Sequence, residues 1–374
     1  MIRKKLYFIM ALFISVFSQN TFSQSPFSIL TATDSIANDT NHLYLHGDLT
    51  QFLKNNEYFS PIVEGYTLFG TNLKAGGFLQ PSPKAKVYLG FTAIKFYGDK
   101  HIDTFSPECY IDYRFNKSVS VVMGSLYRRP ELHLIPMLTN HETAFTESSN
   151  EGLSFVFDTK RLQWNIWVAW LNFLHPNEHS QEKIFLGNTL EYAFVKSNRI
   201  EIAIPFQFTA YHLGGQINDE FTPLHMIFNN AAGLSGTYNF DRSNIKARYC
   251  FVGYKDNSSK SDYVYQNGNG HLVDVSYTSK HIQTALSYWN GFQFFSPVGE
   301  TYYSSISARI PLDNPPQNQP KRELLTAHFY YNTQLAKGLQ LMCGTQLLFD
   351  TKNSICDYSY SFVLRYSGSY KLSH

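Results

Sequence analysis

The 374 residues carry 31 Lys and Arg against 29 Asp and Glu, a formal net charge of +2, and only 16% of them are charged while another 16% are aromatic. The balanced charge argues against nucleic acid or another polyanion as partner, and a mean hydropathy of −0.26 without a second long apolar run excludes a helical membrane protein. Charged residues make up about 25% of ordinary soluble domains, and aromatic enrichment suits rings placed at a lipid–water boundary.

The chain opens MIRKKLYFIMALFISVFSQNTFSQS. Arg3, Lys4 and Lys5 precede a short apolar run from Leu6 to Phe17, and small polar residues follow. This pattern predicts a secretory signal peptide over 1–24. The run is too short for a membrane helix, which needs about 20 apolar residues. No Cys follows it at once, which argues against a lipid anchor. Residues 25–41 are polar and read as a short periplasmic segment.

From residue 42 to 374 one pattern dominates. Apolar and polar residues alternate with a period of two, the signature of strands with one greasy and one wet face. Sixteen strands are expected, near 42–53, 62–79, 84–98, 106–115, 118–127, 150–158, 161–171, 182–195, 199–212, 229–240, 244–255, 268–278, 281–292, 323–335, 338–349 and 357–372. In RLQWNIWVAWL (161–171), Leu162, Trp164, Ile166, Val168 and Trp170 share a face. In RIEIAIPFQFTAY (199–211), Ile200, Ile202, Ile204, Phe206 and Phe208 do so. Pro205 removes a ladder donor and predicts a bulge or a locally unpaired position. In the last strand, DYSYSFVLRYSGSYKL, the apolar positions are Tyr358, Tyr360, Phe362, Leu364, Tyr366, Tyr370 and Leu372.

The connections sort by parity. Every second one is short, and the intervening ones are mostly long, up to 128–149 and 293–322. Short periplasmic turns alternating with long external loops are the asymmetry of an outer-membrane barrel. A soluble β-sandwich, the competing all-β architecture, has no reason to sort its loops in this way. The expected fold is therefore a transmembrane antiparallel up-and-down β-barrel of about 16 strands, in a single domain.

A barrel of that size has room for a water-filled channel. Charges on the wet faces are candidate pore-lining residues: Glu108, Asp112, Arg114, Glu191, Glu201, Lys246, Arg248, Asp274 and Arg365. They either pair across strands and stiffen the wall or set a transverse field for polar solutes. The 128–149 loop, RRPELHLIPMLTNHETAFTESS, holds Leu132, Leu134, Ile135, Met137 and Leu138. An exposed loop gains nothing from that cluster, so it is expected to fold into the lumen or pack on the rim and narrow the pore.

Other motifs are weaker. Cys109, Cys250, Cys343 and Cys356 have neither zinc-site nor disulfide-scaffold spacing and read as packing residues. His175-Pro176-Asn177-Glu178-His179 matches H-x-x-E-H, but that chemistry needs a helix and the motif lies in a short loop. A lipid-acting barrel enzyme would need Ser and His on adjacent strands with a third group to orient the His. His212, His271, His281 and His328 are in or near strands, and no triple stands out.

Over its mature length the chain resembles the porin-like outer-membrane proteins of Gram-negative bacteria. EYFSPIVEGYTLFG (57–70), FDTKRLQWNIWVAWLNF (157–173) and FQFTAYHLGGQIN (206–218) carry that resemblance. Such barrels often end on an aromatic residue, whereas this chain ends Lys371-Leu372-Ser373-His374. The resemblance implies an outer-membrane location, contact with lipid and the barrel-insertion machinery, and association of copies as a trimer. The expected function is passive diffusion of small polar solutes, with no catalysis, no metal and no cofactor. The alternatives are a plugged barrel serving secretion or surface contacts through its Pro-rich 293–322 loop, and a barrel enzyme that modifies lipid.

Overall fold

The computed structural model describes residues 40–175, 180–214, 223–309 and 317–372. The expected signal peptide, nearly all of the 25–41 segment and residues 176–179 of the H-x-x-E-H motif lie outside the described residues.

Sixteen strands form one closed sheet. They are β1 (Leu43–Glu57), β2 (Tyr66–Ser82), β3 (Ala85–Phe96), β4 (Thr104–Arg114), β5 (Val119–Ser125), β6 (Glu151–Asp158), β7 (Leu162–Asn172) and β8 (Glu182–Lys196). The second half runs β9 (Ile200–Gly214), β10 (His225–Asn239), β11 (Ser243–Asp256), β12 (Asn267–Ser279), β13 (Ile282–Phe292), β14 (Lys321–Ala336), β15 (Leu339–Asp350) and β16 (Ile355–Lys371). Each strand pairs antiparallel with its neighbours in chain order, and β1 closes on β16 from Tyr44↔Lys371 to Glu57↔Tyr358. Closure leaves no edge, so every strand backbone can meet its hydrogen-bonding needs in hydrocarbon.

The loop parity is as expected: connections of two to four residues at one end, and of four to 28 at the other. By that asymmetry the short-turn end is periplasmic. Tyr113, Phe115, Tyr192, Tyr238, Tyr277 and Tyr331 stand exposed near the short-turn end, forming one of the aromatic girdles such a wall carries. Along β16, Tyr358, Tyr360 and Phe362 are exposed while Asp357, Ser359 and Ser361 are buried. The greasy face therefore turns to lipid and the wet face inward. The ladder between β9 and β10 lapses where Ile204 and Pro205 face Gly233 and Leu234, as a proline without a donor requires.

The tenth strand begins at His225 instead of near 229, and the first two strands also depart from expectation. The first extends to Glu57 instead of ending near 53, and the second begins at Tyr66 instead of near 62. Lys54, Asn55, Asn56 and Glu57 thus belong to the wall and not to a loop.

Inside, large aromatics lie flat over glycines of neighbouring strands. Trp167 on β7 is opposite Gly187 on β8, and Trp289 covers Gly270 and Gly291. A Cβ at Gly187 would sit 2.0 Å from Trp167 Cζ2. Gly187→Ala should therefore cost about 1–3 kcal/mol by overpacking. The unfolding midpoint of the purified barrel checks this; an unchanged midpoint would mean Trp167 moves aside freely.

Candidate active site at the barrel rim

The nine charges expected in the lumen all occupy inward positions of their strands. Most are neutralised locally. Asp112 accepts from Tyr127 (2.7 Å) and Arg128 (2.6 Å), and Glu108 accepts from Thr92 (2.6 Å) with Lys74 at 3.7 Å. Lys246 meets Glu191 at 2.8 Å, Arg248 meets Asp274 at 2.7 Å, and Arg365 Nε donates to Asp48 at 2.8 Å. Glu201 pairs with Lys196 at 2.7 Å. Arg114 closes β4 at the short-turn end.

The lumen is not an open bore. The loop between β5 and β6 folds into it, carrying a turn of 3-10 helix (Pro130–His133) and a one-turn helix α1 (Thr143–Thr146). Leu132, Leu134, Ile135, Met137, Leu138 and Phe145 are each at most 1% exposed, so the apolar cluster of this loop forms a plug core. Gln207 on the wall accepts from Ile135 N (2.8 Å) and donates to His133 O (3.1 Å). The first half of the 293–322 loop joins the plug, contrary to its reading as an extended contact segment. Phe294, Tyr302 and Tyr303 are buried. Asn140 N donates to Val298 O (2.7 Å), Glu300 N donates to Pro136 O (2.8 Å), and His141 Nδ1 lies 3.2 Å from Glu300 Oε1. The two loops thus pack as one unit.

The plug meets the wall at the top of β1 and β2. Glu142, just before α1, accepts hydrogen bonds from Lys54 Nζ, from Asn56 Nδ2 (3.0 Å) and, on its other oxygen, from Tyr66 OH (2.6 Å). Burial alone would raise the Glu142 pKa, but the Lys54 charge and the Lys54, Tyr66 and Asn56 hydrogen bonds hold it below its usual value. Burial, with His141 nearby, lowers His133 from 6.5 to about 4. Both shifts make the seated plug acid-sensitive. Moving His133 into water restores its ordinary affinity for a proton, so seating weakens as pH falls from 6.5 toward 4, by roughly 3 kcal/mol from this group. Glu142 adds to the loss only below its ordinary value of 4.5. Protease accessibility of the 128–149 segment should rise across pH 6.5–4; a flat profile would contradict this sign.

The outer surface of the same wall is polar where lipid-facing positions should be apolar. Thr67 Oγ1 donates to Asn55 Oδ1 (2.6 Å), and Asn55 Nδ2 donates to Glu57 Oε1 (2.6 Å) and to Tyr360 OH (3.2 Å). Register puts Thr67 and Tyr360 directly opposite Asn55. One layer lower, Leu53 is flanked by Phe69 and Phe362. Below that, Thr71 Oγ1 donates to Gln51 (2.8 Å) and meets Tyr97 OH (2.6 Å). A tilted strand climbs about 2.5 Å per residue, so Asn55 stands about 30 Å above Leu43, at the upper boundary of a band about 25 Å tall. At that height a charge on the outer face costs at most about 1 kcal/mol, against 2–4 at the midplane. A carboxylate is tolerable there, in reach of both headgroups and the start of acyl chains.

The sequence reading missed this constellation because it ended the first strand at residue 53. The histidines it weighed are dispersed. His212 and His271 are on the outer face, with Tyr249 OH 2.9 Å from His271 Nδ1, while His328 faces the lumen and His281 Nδ1 contacts Asn332 O at 3.0 Å.

A family model described as Lipid A 3'-O-deacylase-type matches residues 34–374. No curated protein matches the sequence. Among solved structures, a loop L8 deletion mutant of OmpT, an outer membrane protein of Vibrio cholerae, superposes with a TM-score of 0.52 at 8% identity, over 88% of this chain and 100% of that one. An anion-selective porin from Comamonas acidovorans gives 0.49 at 8% identity, over 87% and 99%. OprD from Pseudomonas aeruginosa gives 0.48 at 10% identity, over 89% and 97%. At such identities the likeness is one of fold, and the expected 16-stranded closed barrel stands. The expectation that no chemistry is catalysed does not, because the matching family is one of enzymes.

Proposed function

Since the chain belongs to the Lipid A 3'-O-deacylase-type family, we propose that it hydrolyses an ester-linked acyl chain of a lipid A-type lipid at the rim of β1 and β2. The observation that carries this reading is Glu57, a carboxylate facing lipid at the membrane boundary that accepts from the Asn55 amide, which is itself bonded to the Tyr360 and Thr67 hydroxyls. The acyl chain lies along Leu53, Phe69 and Phe362, and the ester carbonyl reaches the layer of Asn55. Glu57 takes a proton from a water as that water attacks the carbonyl carbon. The Tyr360 hydroxyl, which accepts from Asn55, keeps its own proton to donate to the developing oxyanion. Collapse breaks the bond to the sugar oxygen, which recovers the proton from Glu57. Asn55 is a positioning residue: its amide orients Glu57 and Tyr360, and Thr67 fixes the amide.

The test is mass spectrometry of lipid A incubated with the folded barrel in detergent micelles. One acyl chain should leave the lipid and appear as free acid. A lipid of unchanged mass would overturn the proposal. Passive diffusion, the other reading, requires the plug to move, because six apolar plug residues are buried in the lumen.

A further inference from the structure

A cavity lies inside the barrel, under the plug. Pro136, Met137, His141, Glu300 and Tyr303 form its roof. Lys246, Ser276 and Gln283 line it within four residues of the short-turn ends of β11, β12 and β13. The plug covers it on the long-loop side, and its lining runs toward the short-turn, periplasmic end of the wall.

Its lining is selective. The Lys and Arg charges are compensated: Lys246 by Glu191 (2.8 Å), Arg248 by Asp274 (2.7 Å) and Lys54 by Glu142, while Glu300 lies 3.2 Å from His141 Nδ1. A free anion would have to break one of these pairs to find a cation. Neutral hydrogen-bonding groups stand among them: Ser276, Ser287, Gln346 and His328. Neither ring nitrogen of His328 has a hydrogen-bond partner among the described residues, and the ring stacks against Tyr330 at 6.3 Å and 29°. Tyr303 and Tyr330 add flat apolar faces. Aromatic faces beside neutral donors and acceptors suit a ligand with apolar C–H faces and many hydroxyls.

We infer that this chamber binds a neutral sugar, delivered from the periplasmic side and distinct from any lipid handled at the rim. The hydroxyls bond His328, Ser276, Ser287 and Gln346, and a ring face rests on Tyr330.

Calorimetric titration of the full-length folded barrel with glucose, maltose and inorganic phosphate tests this. Saturable binding of at least one sugar is expected, with Kd on the order of a millimolar or tighter, and none of phosphate. His328→Leu and Ser287→Val should each weaken sugar binding about tenfold, the loss of one hydrogen bond to a buried partner. Heat-dependent gel mobility verifies that each variant is a closed barrel, and Gln346→Leu replaces any that is not. Absence of saturable sugar binding would overturn the inference. So would phosphate binding as tightly as sugar, or folded variants that bind sugar as well as the parent.

Discussion

Glu57→Gln is expected to slow acyl release by about 10²–10⁴-fold, the usual worth of a positioned general base, while leaving the barrel folded. Gln keeps the shape of Glu, and its carbonyl can still accept from Asn55 Nδ2, which is 2.6 Å from the carboxylate. What it cannot do is take a proton from water. The loss should therefore fall on the rate constant and spare lipid affinity, since Leu53, Phe69 and Phe362 still receive the chain. Asn55→Ala should fall between the parent and Glu57→Gln, because it frees the carboxylate to rotate without removing it. Initial rates of fatty acid release, with gel mobility verifying closure, give the readout. A Glu57→Gln barrel as fast as the parent would remove Glu57 from the chemistry and return attention to the other outward polar groups.

The sequence made the barrel legible because its physics is periodic. In lipid the outward positions of β16 must be apolar, so Tyr358, Tyr360 and Phe362 alternate with inward Asp357, Ser359 and Ser361. The loop asymmetry was equally plain. The inward placement of Glu108, Asp112, Lys246 and Arg365 followed from parity alone. The rim was not legible, for the same reason. At Asn55 and Glu57 the outward positions turn polar, and a reader of alternation takes that for the end of the strand. Only the pairing of β1 with β16, which continues to Glu57↔Tyr358, shows that the wall goes on and that its lipid face has changed character. The polar–apolar break was the signal, and its meaning depended on partners some 300 residues away in sequence. The plug was half legible. Leu132 to Leu138 are too apolar for water, but the packing of Glu300 and Tyr302 against them had no local trace.

Deleting residues 131–144 should turn a closed barrel into a conducting one. The deletion removes Leu132, Leu134, Ile135, Met137 and Leu138, which fill the lumen, and with them Glu142, the tie to Lys54, Asn56 and Tyr66. The companion segment loses its bonds from Val298 and Glu300 to Asn140, Pro136 and His141, and keeps its wall contacts, among them Asn229 to Phe295 O (2.7 Å), Arg322 to Tyr302 O (3.0 Å) and Tyr302 OH to Leu348 O (3.3 Å). Those contacts hold it to one side of a 16-stranded ring that is wide enough for water once emptied. Single-channel current in a planar bilayer should rise by roughly tenfold or more over the parent, as expected when a filled 16-stranded lumen becomes an aqueous one. The charges uncovered are largely paired, so the opened pore should distinguish weakly between cations and anions. Equal currents from parent and deletion would mean that the companion segment alone seals the lumen. In that case removing 294–305 as well must open it, and a barrel still closed after both deletions would refute the plug as the barrier to solutes.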